Sequence, residues 1–213
     1  MIKEISYSSD EKLQIKTKIK DESFCSSSWS DDDISNIKDK IKKHYLSTQK
    51  YQCPYCKQTI KSKHGRYWDI EHIIPRSYAP SFIFEPFNLC MSCVDCNSAK
   101  SDKKVTNSKA KVTYPKLSSA YLIIHPHFDK YSDNILVIKE GLYYVAKTKK
   151  GEKTIETCKL NRFYEFSNFD SSIQEDETIF LLSTQLKLET DKKIRNKITC
   201  KIAELAIKGS LSS

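Results

Sequence analysis

Residues 53–56 read Cys53-Pro54-Tyr55-Cys56, and residues 93–96 read Cys93-Val94-Asp95-Cys96. One CxxC pair alone is ambiguous: it suits a thiol redox centre or half of a metal site. A redox pair needs its first cysteine at a helix N-terminus within a βαβ unit, where the dipole stabilises a thiolate. The segment after Cys56, KQTIKSKHGRYWD, lacks apolar periodicity and is interrupted by Gly65. The second pair downstream supplies the other half of a metal site. Two knuckles with two thiolates each are what a closed tetrahedral zinc requires, and such a site contributes about 10–16 kcal/mol of apparent binding energy. The spacing therefore favours zinc. Cys90 and Cys93 also form a CxxC, so one downstream cysteine stands outside the site, and spacing does not say which. Cys25, Cys158 and Cys200 are read as small buried residues.

Around the cysteines the chain alternates between strand and helix signals. RYWDIEHII, residues 66–74, is rich in β-formers and runs into Pro75, as a strand entering a loop does. The loop contains Pro80 and Pro86, and Asn97 opens a lysine-rich segment predicted to be helical until about Lys104. Upstream, Ile34, Ile37, Ile41 and Tyr45 recur at helical intervals, with Ser30 and Asp33 at capping-box spacing. Downstream, ILVIKEGLYYVAK (135–147) reads as a hairpin turning at Glu140-Gly141. The chain is predicted to be helical from about Ile173, with Ile194, Ile198, Ile202 and Leu205 in one stripe. The expectation is an α+β protein in three parts: an N-terminal segment (1–50), a zinc-stapled core (51–105) and a hairpin-plus-helix extension (106–213).

The bulk properties exclude some functions. With four glycines in 213 residues, no GxxxxGK[ST] or GxGxxG loop occurs, so any ATP-driven step would belong to a partner. A formal charge of +9 favours polyanionic partners. MIKEISYSSDEKL puts charge where a signal peptide is apolar, and no apolar run approaches the roughly 20 residues that span a bilayer. The expectation is a cytoplasmic protein whose eight cysteines stay reduced.

Between the knuckles lies DIEHIIPRS, Asp69 to Ser77. Glu71-His72 is not the HExxH of a metalloprotease, because position 76 is Arg. Here CPYC, EHIIPRS and NLCMSCVDCNSAK together resemble an HNH nuclease of the ββα-metal type, over about residues 51 to 104. The resemblance implies that His72 is the general base that deprotonates water. It implies that Glu71 and Asn97 hold one catalytic divalent metal, and that Asn88 pins the loop through backbone hydrogen bonds. It implies that Cys53, Cys56, Cys93 and Cys96 bind structural zinc, with Cys90 outside the set, and that Lys100 lies near phosphate.

The chemistry is reasonable from below. A neutral imidazole is a suitable base near neutral pH, and a carboxylate with a carboxamide oxygen is a hard ligand set for Mg²⁺ or Mn²⁺. Arg66, Arg76, Lys100, Lys103 and Lys104 are the candidate phosphate contacts. The family often has Asp for Glu71, His for Asn97, and a glycine pair where YAPSFIFEPF stands here. LIIHPHFDKYSDNI and TIETCKLNRFYEF are similar to stretches beyond the HNH core in nucleases accompanying ATPases in bacterial anti-phage systems, of the Septu and retron-associated kind. This implies DNA as substrate, with RNA as the alternative, and a protein partner such as an ATPase. The competing reading is a zinc-stapled adaptor that binds nucleic acid or protein without cutting. His44, His64, His125 and His127 are read as loop or packing residues.

Overall fold

The computed structural model describes residues 2–62, 67–141, 143–162 and 171–211. It is a mixed α+β chain that divides into two compact units, 1–136 with 145–160 and 137–144 with 161–213. All the candidate site residues among those described lie in the first.

At the centre of the first unit, strand β1 (Trp68–His72) pairs antiparallel with β2 (Leu89–Cys93), and helix α3 (Val94–Lys100) continues from β2 without a break. The register runs from Trp68 opposite Cys93 to His72 opposite Leu89, so Cys93 and His72 mark opposite ends of one short ribbon. A two-stranded ribbon is marginal by itself, and its outer edge leaves backbone groups unpaired. Side chains from elsewhere satisfy that edge on β2. His127 Nε2 donates to the Leu89 carbonyl (2.8 Å), and the Gln49 carboxamide bonds both Met91 N–H and Met91 C=O (2.7 Å each). The Cys93 N–H donates to Cys53 Sγ (3.5 Å). Gln49 and His127 thus stand where a third strand would.

Helix α2 (Ser35–Thr48) packs on the hairpin through Ile37, Ile41 and Tyr45, all fully buried. The Tyr45 hydroxyl accepts from Ile5 N–H (3.2 Å) and donates to the Pro86 carbonyl (2.7 Å), tying the N-terminal segment to the loop before β2. The expected Ser30–Asp33 cap does not form. Two 3₁₀ turns, Ser26–Ser30 and Asp32–Ile34, precede α2, and Asp31 and Asp33 instead hold the Lys18 ammonium (2.6 and 2.9 Å). A capping box does occur at Ser8 and Glu11, and it starts α1 (Ser9–Lys20), a helix with no buried residue. Because α1 is held by its cap and by polar contacts such as Gln14 to Asp33 C=O (2.6 Å), it carries no apolar stripe to read.

Helix α3 begins three residues before the expected Asn97 and stops at Lys100, where Ser101 turns into positive φ (47°). Helix α4 (Lys149–Thr157), which the sequence did not suggest, is capped by the Thr148 hydroxyl on Gly151 N–H (3.0 Å). A Cβ at Gly151 would collide with the Asn134 carbonyl, which makes glycine obligatory there. Strands β3 (Ile135–Lys139) and β4 (Tyr143–Ala146) form the expected hairpin, with Gly141 at φ 77° in the turn.

In the second unit, α5 (Ser171–Leu188) and α6 (Lys192–Leu211) form a helical pair with Leu182 and Ile198 buried. Cys158 is buried, whereas Cys25 and Cys200 are exposed, which corrects the expectation that all three are buried. No described helix is long and apolar enough to cross a membrane.

Candidate active site

The sulfur end of the ribbon is closed. Cys53, Cys56, Cys93 and Cys96 are all buried, and their four Sγ atoms lie within 4.8 Å of one another. Cys56 Sγ and Cys93 Sγ are 3.8 Å apart. That matches the edge of a tetrahedron with bonds of about 2.3 Å, which is about 3.8 Å. The first knuckle is a tight turn in which Lys57 N–H donates back to the Cys53 carbonyl (3.0 Å) and Lys57 itself takes positive φ (59°). The second knuckle runs from the last residue of β2 into the first turn of α3, so Cys93 and Cys96 come from a fixed strand-to-helix corner. Donor type, burial and spacing all fit zinc. Cys90 is not in the cluster; it faces Glu71 across the ribbon, and burial pushes its thiol up.

The other end is an open cleft of about 500 Å³. Glu71, His72, Arg76 and Asn97 line it, together with Ser26, Ser27 and Ser30 from the N-terminal segment. His72 is buried, and its Nε2 meets the Ile83 carbonyl (3.1 Å). A carbonyl only accepts, so Nε2 carries the proton and Nδ1 keeps the lone pair. Burial, reinforced by the Arg76 charge, pulls the imidazole down to about 3, so it is neutral at physiological pH.

The loop that supplies the Ile83 carbonyl is pinned by Asn88, which is fully buried. Its Oδ1 accepts from Ile74 N–H (2.7 Å), and its Nδ2 donates to the carbonyls of Ile74 (3.2 Å) and Phe82 (3.0 Å).

Glu71 and Asn97 bring oxygen donors to the same cleft. The Asn97 Nδ2 donates to Asp69 Oδ2 (2.8 Å), which leaves Asn97 Oδ1 for a cation. Glu71 is 2% exposed, and its Oε1 takes both the Tyr55 hydroxyl (3.0 Å) and the Lys100 ammonium (2.8 Å). Both contacts fall on Oε1, so Oε2 is the free donor. Burial pushes the Glu71 carboxyl up while Lys100 pulls against it. The two remaining oxygens fit a hard divalent cation.

The basic residues divide. Arg76 is in the cleft, and its Nη1 donates to the Ser26 carbonyl (3.1 Å). Lys100 is 1% exposed, and its ammonium also donates to the His72 carbonyl (3.0 Å), so it is a structural cation behind the cleft wall. Lys103 and Lys104 are exposed, with Lys103 bonded to the Thr157 carbonyl (3.2 Å). Arg66 and His64 lie outside the described residues. His125 and His127 pack among aromatic rings away from the cleft. Asp69, Tyr55 and Trp29 are partners of the site that sequence reasoning did not single out. A carboxylate two positions before Glu71 on an alternating strand was the available signal for Asp69.

Residues 53–103 match the family model described as HNH endonuclease. This stretch is an HNH domain. Septu protein PtuB of Bacillus thuringiensis is 28% identical over 122 residues, covering 57% of this chain and 41% of that protein. The chain therefore matches less than half the length of this curated relative. No solved structure matches it significantly. The HNH stretch spans both ends of the ribbon, from Cys53 to just past α3.

Proposed function

We propose that the protein is a metal-dependent endonuclease that hydrolyses phosphodiester bonds, with DNA as substrate, and that it serves as the nuclease of a bacterial anti-phage defence complex. The observation that carries this reading is that a neutral, carbonyl-anchored His72 lines one cleft together with Glu71 and Asn97. Glu71 and Asn97 would hold Mg²⁺ or Mn²⁺, which supplies Lewis acidity to the scissile phosphate when bound. His72 Nδ1 accepts a proton from the attacking water as the water oxygen bonds to phosphorus; the P–O bond to the leaving oxygen breaks, and that oxygen takes up a proton from solvent in the open cleft. Arg76 offers the cleft a fixed positive charge for the phosphate. Cys53, Cys56, Cys93 and Cys96 would hold zinc, which would tie the start of α3 to β2 and so help fix Asn97 near the strand that carries Glu71. The defence assignment, and a protein partner such as an ATPase, rest on the similarity to Septu protein PtuB. The cytoplasm is the compartment that fits reduced thiols at the zinc site.

One observation favours a second reading, a zinc-stapled adaptor without chemistry: the Glu71 carboxylate is already engaged by Lys100 and Tyr55. The two readings separate in one assay. Purified protein, alone and with its neighbouring gene product, is incubated with plasmid, single-stranded DNA or RNA and with Mg²⁺ or Mn²⁺. The nuclease reading expects cleavage that His72→Ala lowers by about 10²–10⁴-fold while folding is kept. Salt-sensitive binding with no cleavage under any of these conditions would leave the adaptor.

A further inference from the structure

The residue that closes over His72 comes from outside the HNH domain. Trp29 sits in the 3₁₀ turn Ser26–Ser30, and its indole stands perpendicular to the His72 imidazole, with ring centroids 4.6 Å apart and planes at 89°. Phe84, buried next to the Ile83 carbonyl, backs the indole at 6.0 Å.

The turn is held from several directions. Lys38 Nζ donates to the carbonyls of Trp29 (3.3 Å) and Asp31 (3.0 Å), and Arg76 Nη1 donates to that of Ser26 (3.1 Å). The Ser28 hydroxyl accepts from Cys25 N–H (3.1 Å), and Lys18 bridges Asp31 and Asp33. An arrangement with so many independent ties presents the indole at a fixed angle.

We propose that Trp29 is a positioning residue for His72, the indole and the Ile83 carbonyl together fixing the imidazole so that Nδ1 is the proton acceptor. One hydrogen bond at Nε2 locates a single ring atom and leaves the ring free to turn about that contact. A half-turn about Cβ–Cγ would put carbon where each nitrogen stands and would break the bond to Ile83. A perpendicular aromatic wall blocks that rotation, and an edge-to-face contact adds its own attraction. Catalysis by a misoriented base is slow even when the base is intact, because angstrom-scale misplacement costs up to about 10²-fold. The N-terminal segment is therefore part of the catalytic unit, although it lies outside the matched family stretch.

The proposal rests on the nuclease reading, and its test separates the two. Trp29→Ala and Trp29→Phe are compared with the parent for cleavage kinetics, thermal unfolding and the side-chain ¹H–¹⁵N spectrum of His72. The expected result for Trp29→Ala is kcat reduced about 10–100-fold with KM nearly unchanged. Its His72 spectrum should change from a single Nε2–H tautomer to a mixture. Trp29→Phe should restore most of the rate and the parental spectrum. Parental kcat and an unchanged His72 spectrum in Trp29→Ala would overturn the proposal. So would equal losses in both variants with the spectrum unaltered. Should Trp29→Ala fail to fold, Trp29→Leu carries the same comparison. If the parent itself does not cut, the nuclease reading fails, and the spectrum still decides whether Trp29 sets the ring.

Discussion

The two ends of one five-residue ribbon have opposite designs. At the Cys93 end, four soft, buried thiols of one kind face one another within 4.8 Å. At the His72 end, a carboxylate, a carboxamide, an imidazole and a guanidinium of different hardness and charge border an open cleft. A structural metal site is complete when its four ligands are present. A hydrolytic site, which is what we propose for this cleft, needs donors left over after the protein has satisfied itself: Glu71 Oε2, Asn97 Oδ1 and His72 Nδ1 are the candidates. The first kind of site announces itself by composition and spacing; the second depends on which atom of each side chain is already occupied.

The largest effect expected from breaking this contrast is at the sulfur end. Stripping zinc with a chelator, or Cys93→Ser, removes about 10–16 kcal/mol of apparent binding energy and should unfold the first unit. Circular dichroism tracks this loss, and elemental analysis of the parent should give one zinc per chain. Cys90→Ala, outside the cluster, should keep both the zinc and the fold. Zinc lost from Cys90→Ala would mean that the ligand set is different.

At the other end the buried Glu71–Lys100 pair gives the next largest effect. Lys100→Met leaves a buried carboxylate without its cation and should cost about 3–5 kcal/mol in denaturant unfolding. Adding Glu71→Leu should recover most of that stability without recovering activity, since apolar replacement of both partners is often neutral. Full stability in Lys100→Met alone would show that the pair is not buried as described.

The smallest effect is graded acid destabilisation. Burial lowers the pKa of His72, His125 and His127. Below the ordinary histidine value of about 6.5 the unfolded chain binds protons that the folded chain refuses. Stability should therefore be full above pH 6.5 and fall as pH drops below it, by up to about 1.4 kcal/mol per pH unit for each histidine. Glu71, pushed up by burial, works in the opposite direction as pH falls towards the ordinary carboxyl value. Chemical-denaturation midpoints between pH 7.5 and 5, measured in Glu71→Gln so that the opposing carboxyl is removed, give the slope; a flat profile in that variant would mean that these rings are solvated.

The parts of the molecule legible in the sequence divide in the same way. The two knuckles, the strand from DIEHII, the Ile37–Ile41–Tyr45 stripe and the 135–147 hairpin are local patterns, and each has its counterpart in the fold. The α1 helix was hidden because polar contacts, not an apolar face, hold it. The α2 cap was misread because Lys18, distant in sequence, takes the aspartates that would have capped it. At the cleft, Glu71, His72 and Asn97 could be named from the motif. That Lys100 would turn inward to Glu71, that Asp69 would set the Asn97 amide, and that Trp29 would meet His72 are long-range pairings no local spacing encodes.

The most direct test is anomalous diffraction at the zinc and manganese edges from crystals grown with Mn²⁺. The account predicts one zinc peak among Cys53, Cys56, Cys93 and Cys96, and one manganese peak bound by Glu71 and Asn97 within the His72 cleft. A manganese peak elsewhere, or a zinc peak that includes Cys90, would contradict it.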